Sequence, residues 1–302
     1  MIRILFIVLF LPITAFAQNT NFKTAHGDFF KLYFSDRSEL QLQYLLGLNQ
    51  KDSNGPGKFN LNYFTAKGEI PLPQGRDTYF RFGADYGARF YNFKNSAGAL
   101  SDLDSETFHR IQGSYGIGQF INDDFLLTGI AKLGLFSNLH GNPEQDDFRI
   151  NGDVIAVWRM NPGTQLVGGL AKANDFADTD YYPILGIRLL TEDGKFRISV
   201  TIPREARLDY NITSSSTIYG LLSLSGEKYN LYFSDPDRKV STFIQDKHLG
   251  LGADHWFSTH IGVGLEAGLT IDAKTDLKLD GQNYLGNLEN SAYALAQIKI
   301  SL

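Results

Sequence analysis

Between residues 79 and 91 apolar and polar positions alternate with a period of two. Phe80, Phe82, Ala84, Tyr86, Ala88 and Phe90 share one side, and Arg81, Gly83, Asp85, Gly87 and Arg89 the other. The pattern recurs at 148–160, where Phe148, Ile150, Gly152, Val154, Ala156, Trp158 and Met160 oppose Arg149, Asn151, Asp153, Ile155, Val157 and Arg159. It recurs again with Phe196, Ile198, Val200 and Ile202 against Lys195, Arg197, Ser199 and Thr201. Successive side chains of a strand point to opposite faces, whereas a helix would spread both sets around its circumference. These segments are therefore strands with one face suited to an apolar medium and one suited to water.

Strands of this kind are predicted at 39–48, 57–70, 77–92, 105–119, 124–137, 147–160, 163–172, 182–191, 195–204, 214–224, 227–234, 240–254, 260–272 and 291–302. The connections alternate. Short ones fall at 121–124, 161–163, 192–194, 225–226 and 257–259, and long ones at 51–56, 94–104, 138–146, 173–181, 204–213 and 273–290. Asn-Pro-Gly and Glu-Asp-Gly supply turn chemistry at two of the short ones. Sandwich strands run to about five or six residues, and barrel strands need about 9–11 to cross lipid at a tilt. The lengths here fit the second. The expected fold is thus all-β, a single antiparallel up-and-down transmembrane β-barrel of about fourteen strands, with short turns on one side of the membrane and long loops on the other. Twelve and sixteen strands stay open, because 205–212, assigned to a loop, also reads as a short strand. The alternative is a soluble β-sandwich with its apolar face in a core.

The first seventeen residues change the setting in which this fold must form. Arg3, the apolar run 4–11, Pro12 and the small-x-small triplet Ala15-Phe16-Ala17 match a cleavable export signal ending at Ala17, too short to anchor in a bilayer. The expected organisation is signal 1–17, an N-terminal segment 18–38 that is periplasmic, lumenal or an extra strand, and a barrel over 39–302. No cysteine is present among 302 residues, which excludes a lipid anchor, disulfides and thiolate metal sites. The remaining composition is that of strands: 13% aromatic, with 23 Phe and 15 Tyr against two Trp. The net charge of −5 comes from scattered groups, and nothing in it suggests a nucleic-acid partner.

In the last segment Ala292, Ala294, Ala296, Ile298, Ile300 and Leu302 alternate with Tyr293, Leu295, Gln297, Lys299 and Ser301. It resembles the C-terminal targeting strand of outer-membrane proteins, although that strand commonly ends in an aromatic residue and this one ends in Leu302. Through 183–226, with Ile202-Pro203, Tyr210 and Ile218-Tyr219-Gly220, the chain resembles an uncharacterised bacterial outer-membrane β-barrel family of unknown function. The resemblance implies the cell outer membrane of a Gram-negative bacterium, its lipid and the barrel-assembly machinery as partners. It assigns no catalytic or binding residue.

Parity turns Arg81, Asp85, Arg89, Arg149, Asp153, Arg159, Arg188, Lys195 and Arg197 toward the lumen. Two readings follow: a water-filled passage with some preference for anions, or a plugged lumen in which the charges pair. Tyr79, Tyr91, Phe120, Phe136 and Trp256 lie near strand ends and fit interfacial aromatic girdles. His26, His109, His140, His248, His255 and His260 form no zinc motif, and His255 with His260 are better read as turn residues than as a metal pair. Asp102, Asp104 and Glu106, then Asp175, Asp178 and Asp180, lack the calcium-loop consensus and read as solvated loops. Gly113-Ser114-Tyr115-Gly116 is no nucleophile elbow, and Gly262 and Gly264 are expected to relieve crowding on the wall. No catalytic motif, cofactor or metal is called for. The leading function is a porin-like passive channel for small solutes. The alternatives are a closed barrel binding a partner or polysaccharide through its outside loops, and a secreted sandwich that binds carbohydrate.

Overall fold

The computed structural model describes residues 38–51, 58–94, 106–140, 142–173, 181–232, 239–279 and 282–301. The export signal, the 18–37 segment and the acidic loop residues Asp102, Asp104, Asp175, Asp178 and Asp180 lie outside these residues. The strands are β1 (Glu39–Lys51), β2 (Lys58–Gln74), β3 (Thr78–Lys94), β4 (Thr107–Asn122), β5 (Phe125–Ser137), β6 (Phe148–Asn161), β7 (Thr164–Lys172) and β8 (Tyr181–Leu190). They continue with β9 (Phe196–Ile202), β10 (Glu205–Asn211), β11 (Ser216–Tyr232), β12 (Lys239–Trp256), β13 (Ile261–Thr270), β14 (Lys274–Leu279), β15 (Gln282–Asn287) and β16 (Ser291–Ser301). Consecutive strands from β1 to β13 pair antiparallel, β13 pairs β16, and β16 returns to β1. The wall is therefore a closed barrel of fourteen strands. β14 and β15 are a hairpin hung from the loop-end half of β12, inside what the sequence marks as one long loop.

The number fourteen is right, but two of the strands behind it are not. Residues 205–212, assigned to a loop, contain β10, whose Glu205, Arg207 and Asp209 alternate with Ala206, Leu208 and Tyr210. Pro203 and Arg204 are enough to join it to β9, with the Arg204 N–H donated to the Thr201 carbonyl. Conversely, Ser225-Gly226 is no turn: β11 runs through it, and Ser225 and Gly226 stay in unbroken register with Asp246 and Gln245. One strand missed and one divided leave the total unchanged.

The outward face is apolar around the whole circumference. Ile150, Val154, Leu170, Leu185, Leu222, Leu251, Leu265 and Ile298 stand exposed, Leu251 at 75% and Leu265 at 66%. Phe82 packs on Tyr115 at 5.2 Å and Phe196 on Tyr210 at 4.7 Å on this surface. An exposed apolar surface of this extent marks an interaction surface, not an ordinary wetted one.

The girdle assignment fails for four residues: Tyr79, Phe120 and Phe136, and Trp256, which shares the inward parity of Asp254, while the side chain of Tyr91 lies outside the described residues. Tyr79, Phe120 and Phe136 are buried inside the barrel, because they share the parity of Arg81, Ser114 and Lys132 and not that of the apolar outer face. Tyr79 stands at one end of a cross-strand row that runs through Gly118, Thr128, Ile155 and Gly169 to Ile184. The next row toward the turn end holds Phe120, Leu126, Val157 and Val167. Together these form an apolar floor on the inner face of β3–β8, with Leu126, Val157 and Ile184 fully buried.

Gly118 is part of that floor for a steric reason, since a Cβ there would overlap the Tyr79 ring. Gly118→Val should therefore cost about 1–3 kcal/mol by overpacking. The check is the temperature at which the detergent-solubilised protein loses its folded gel mobility, which should fall. Gly262 and Gly264 likewise face the Trp256 ring and the Gln297 and Asp254 side chains. In the turn at 191–194 Gly194 adopts φ +67°. There the Thr191 hydroxyl and the Lys195 N–H, both donated to Asp193, hold its carboxyl below the ordinary value.

Candidate functional site

β9 and β10 are seven residues each, and their loop-end turn at Pro203 and Arg204 leaves the wall low at this point. On one flank Tyr181–Ile184 of β8 have no partner on β9, since that pairing starts at Leu185 with Ile202. On the other, β11 makes its last ladder pair with β10 at Ser223 with Glu205, and the Leu224 N–H goes to the Arg204 carbonyl. Beyond this point β11 leaves the wall.

The sequence supplies the cause. In the lower part of β11 Ile218, Gly220 and Leu222 face outward. The same parity continued upward would turn Lys228 and Asn230 onto the apolar outer face, where neither finds a polar partner among Ile218, Leu222 and their neighbours. The strand instead crosses the lumen, and from Gly226 onward both of its faces are covered. Tyr229 packs between Phe108 of β4 at 5.4 Å and Phe136 of β5 at 5.8 Å. Asn230 forms a parallel bridge to Ser137 of β5, across a wall in which β6–β10 lie between the two strands. Asn230 Nδ2 donates to Asp147 at 3.0 Å, Tyr232 OH donates to the same carboxylate at 2.9 Å, and Asn138 Nδ2 donates to the Tyr232 carbonyl at 2.8 Å. The loop-end half of β12 and the β14–β15 hairpin extend this inward sheet.

Glu227 is the centre of the latch. It is 7% exposed and accepts from Arg89 Nε at 2.8 Å, from Arg110 Nη1, from Tyr229 OH at 2.5 Å and from Tyr63 OH at 3.3 Å. Arg89 also binds Asp246 of β12 at 2.5 Å, and Arg110 binds Asp85 at 2.7 Å. Two guanidinium groups on β3 and β4 thus hold both strands of the hairpin.

The latch divides the lumen. On one side lies a cavity of about 390 Å³ bounded by β2–β7, the Arg204–Glu205 rim and Ser223–Lys228. On the other, a cavity of about 160 Å³ lies between β1–β3 and β12, with Tyr63, Arg89, Asp246 and His248 on its wall. The larger cavity stands on the apolar floor, and Arg204 caps the junction by binding both Asp153 oxygens at 3.0 and 2.6 Å and the Tyr182 hydroxyl at 2.9 Å. Asp153→Ala would leave that guanidinium without its partner, a change that typically costs about 3–5 kcal/mol for a buried pair. Arg204 is part-exposed, so the lower end of the range is the expected loss, read as earlier heat unfolding in detergent.

Toward the turn end, the inner face of β1, β9–β13 and β16 is a polar network. Asp209 pairs with Arg197 at 2.9 Å and Arg207 at 2.8 Å, and Asp254 with Lys299 at 2.9 Å and Gln297 at 2.8 Å. Glu266 accepts from Tyr219 at 2.9 Å and Tyr293 at 2.6 Å. Apolar packing fills one side of this level, and paired charges fill the other.

The residues that parity turns inward are therefore dispersed. Asp85, Arg149 and Asp153 line the larger cavity, Arg81 pairs with Glu69 beside it at 2.5 Å, and Arg89 belongs to the latch. Arg197 joins the turn-end network, Arg188 is half-buried opposite Gln165, and Arg159 pairs with Asp124 at the turn end at 2.9 Å. Lys195 stands in the exposed turn before β9, outside the wall strands. His255 bonds Ser216 at 2.9 Å and His260 lies in the turn before β13 beside Thr259. Arg110, Arg204, Glu227, Lys228 and Asp246 carry much of the geometry and are absent from the sequence-derived set. For Glu227 and Lys228 the false turn at Ser225-Gly226 hid the strand parity.

A family profile described as a domain of unknown function, DUF6268, matches residues 16–281. No curated protein matches the sequence. Among solved structures, the chain is similar to the COG4313 outer membrane channel from Pseudomonas putida F1, with 11% identity, 88% of this chain and 96% of that one covered, and a TM-score of 0.46. It is also similar to the Pseudomonas putida toluene transporter TodX, with 9% identity, 92% of each chain covered and a TM-score of 0.45. A Pseudomonas aeruginosa FadL homologue gives 10% identity, 89% and 90% coverage and a TM-score of 0.46.

Proposed function

We propose, for a chain that belongs to the DUF6268 family, that it is an outer-membrane barrel acting as a passive pore for small solutes, occluded at rest by its own β11–β12 hairpin. The observation that carries this reading is the latch: an otherwise closed wall of fourteen strands is blocked by a hairpin of its own sheet, held on the far side by Arg89 and Arg110 through Glu227. The apolar belt supports placement in lipid, where only helices and closed barrels satisfy every backbone group. The even strand number, and the start of β1 and end of β16 at the turn end, support a periplasmic turn end and an external loop end. β16 would then be the strand that the barrel-assembly machinery reads.

Planar-bilayer recording tests the proposal. The native protein should give small, infrequent openings, and a variant in which residues 226–245 are replaced by a short polar linker should conduct steadily. Silence from both would overturn it. That result would favour a closed barrel acting through its loops, a reading supported by the β14–β15 hairpin, which adds two strands to the sheet at the loop end.

A further inference from the structure

The larger cavity is not electrically balanced. Seven basic and five acidic side chains line it. Most of its carboxylates are committed to a cation: Glu69 to Lys67 and Arg81, Asp85 to Arg110, Asp153 to Arg204, and Glu227 to Arg89 and Arg110. Glu205 lies at the exposed rim. Of the four other basic groups, Lys132 acts on Glu69 and Lys172 lies 5.9 Å from the centre of the Tyr181 ring, while Arg149 and Lys228 have, among the described residues, no carboxylate within ion-pair distance. Asp146 and Asp147 act on Arg149 from beyond ion-pair distance, and Asp147 is occupied by Tyr232 and Asn230.

Arg149 Nε is buried without a hydrogen-bond partner, and its Nη2 reaches only Asn230 Oδ1 at 3.5 Å. Two positions along β6, on the same inward side, Asn151 Oδ1 is also buried and unpartnered. Arg149 Nε and Asn151 Oδ1 thus both lack a partner, on two side chains that line one cavity of about 390 Å³. Native interiors leave few such groups, and each calls for a ligand or a water. An oxyanion fits the donor, since guanidinium binds carboxylate and phosphate oxygens through paired N–H groups. An alcohol fits the acceptor.

We infer that this corner of the cavity binds a small hydroxylated oxyanion, a phosphate or carboxylate bearing alcohol groups. The oxyanion lies on Arg149 and Lys228, and a hydroxyl donates to Asn151 Oδ1. The inference names the solute class of the pore proposed above and rests on that reading for its biological sense. It is measured as binding, so its failure and the pore's failure are separate results.

Titration calorimetry on the full-length protein in detergent, with sn-glycerol 3-phosphate, inorganic phosphate and glycerol as probes, decides it. Glycerol 3-phosphate should bind saturably, phosphate more weakly and glycerol not at all. Arg149→Gln should weaken glycerol 3-phosphate at least tenfold, and Asn151→Leu should erase its advantage over phosphate while sparing phosphate itself. Lys228→Gln, whose side chain lies off the wall, gives an independent arm with a several-fold loss should Arg149→Gln fail to fold. Folding of each variant is checked by its heat-dependent gel mobility. Absence of saturable binding by either anion, or unchanged affinity in folded Arg149→Gln or Lys228→Gln, would overturn the inference.

Discussion

Glu227→Ala is expected to release the β11–β12 hairpin from the far wall and convert a quiet barrel into a conducting one. Its carboxylate is the shared acceptor for Arg89, Arg110, Tyr63 and Tyr229. Removing it leaves Arg89, 2% exposed, with its ion pair to Asp246. Breaking one partner of a buried ion pair typically costs about 3–5 kcal/mol, which is more than about a hundredfold in the ratio of latched to released hairpin. The barrel itself should survive, because the ladder from β1 to β11 does not pass through Glu227. The expected record is a long open state with unchanged gel mobility. Glu227→Gln keeps one acceptor oxygen, replaces the other by an amide nitrogen that can only donate, and loses the charge, so it should fall between the two. Loss of the folded form with no conductance would show that the hairpin holds up the wall and does not gate it.

Leu251→Arg should abolish or severely weaken barrel assembly in lipid, although the site is 75% exposed. On a protein surrounded by water such a change would be near neutral, since exposed substitutions away from special features usually stay within about ±0.5 kcal/mol. At the middle of a hydrocarbon belt an Arg costs about 2–4 kcal/mol. Ile150→Arg, on the opposite part of the wall and also exposed, should behave the same way. Reconstitution into phospholipid vesicles, followed by the fraction of protein that acquires folded mobility, measures the loss. Normal recovery of both variants from the soluble fraction without detergent would return the secreted sandwich as the better account.

How much of this was legible beforehand depended on whether a segment kept one environment along its length. β6 does: each residue from Phe148 to Met160 faces the side that its alternation indicates. β10 was lost because a seven-residue strand rich in charge looks like a loop when its neighbours are not known. β11 was divided because Ser-Gly carries turn chemistry, and a strand that moves from wall to lumen changes its pattern at just that point. The signal was present, since Lys228 and Asn230 continue the parity of Ile218 and Leu222 and break the apolar run of that face. Parity also placed Tyr79, Phe120 and Phe136 inside, where proximity to strand ends suggested the membrane interface.

The filling of the lumen was not legible. Tyr229 meets Phe108 and Phe136 only because closure brings β11 over β4 and β5. Such contacts join residues far apart in sequence, and no local period encodes them. The unpartnered Arg149 Nε belongs to the same class, since sequence could turn it inward but could not show that no acid meets it.

The claim on which the rest depends is that the β11–β12 hairpin crosses the lumen to reach β5. Asn230 and Ser137 are bridge partners there, at a separation suited to a disulfide, and the native chain has no cysteine to interfere. The double variant Asn230→Cys with Ser137→Cys should cross-link under mild oxidation in the folded barrel. The oxidised form should be silent in planar bilayers, and reduction should restore the openings of the parent. Failure to cross-link in protein that is otherwise folded, with both thiols open to a small alkylating reagent, would place β11 in the wall and contradict the account.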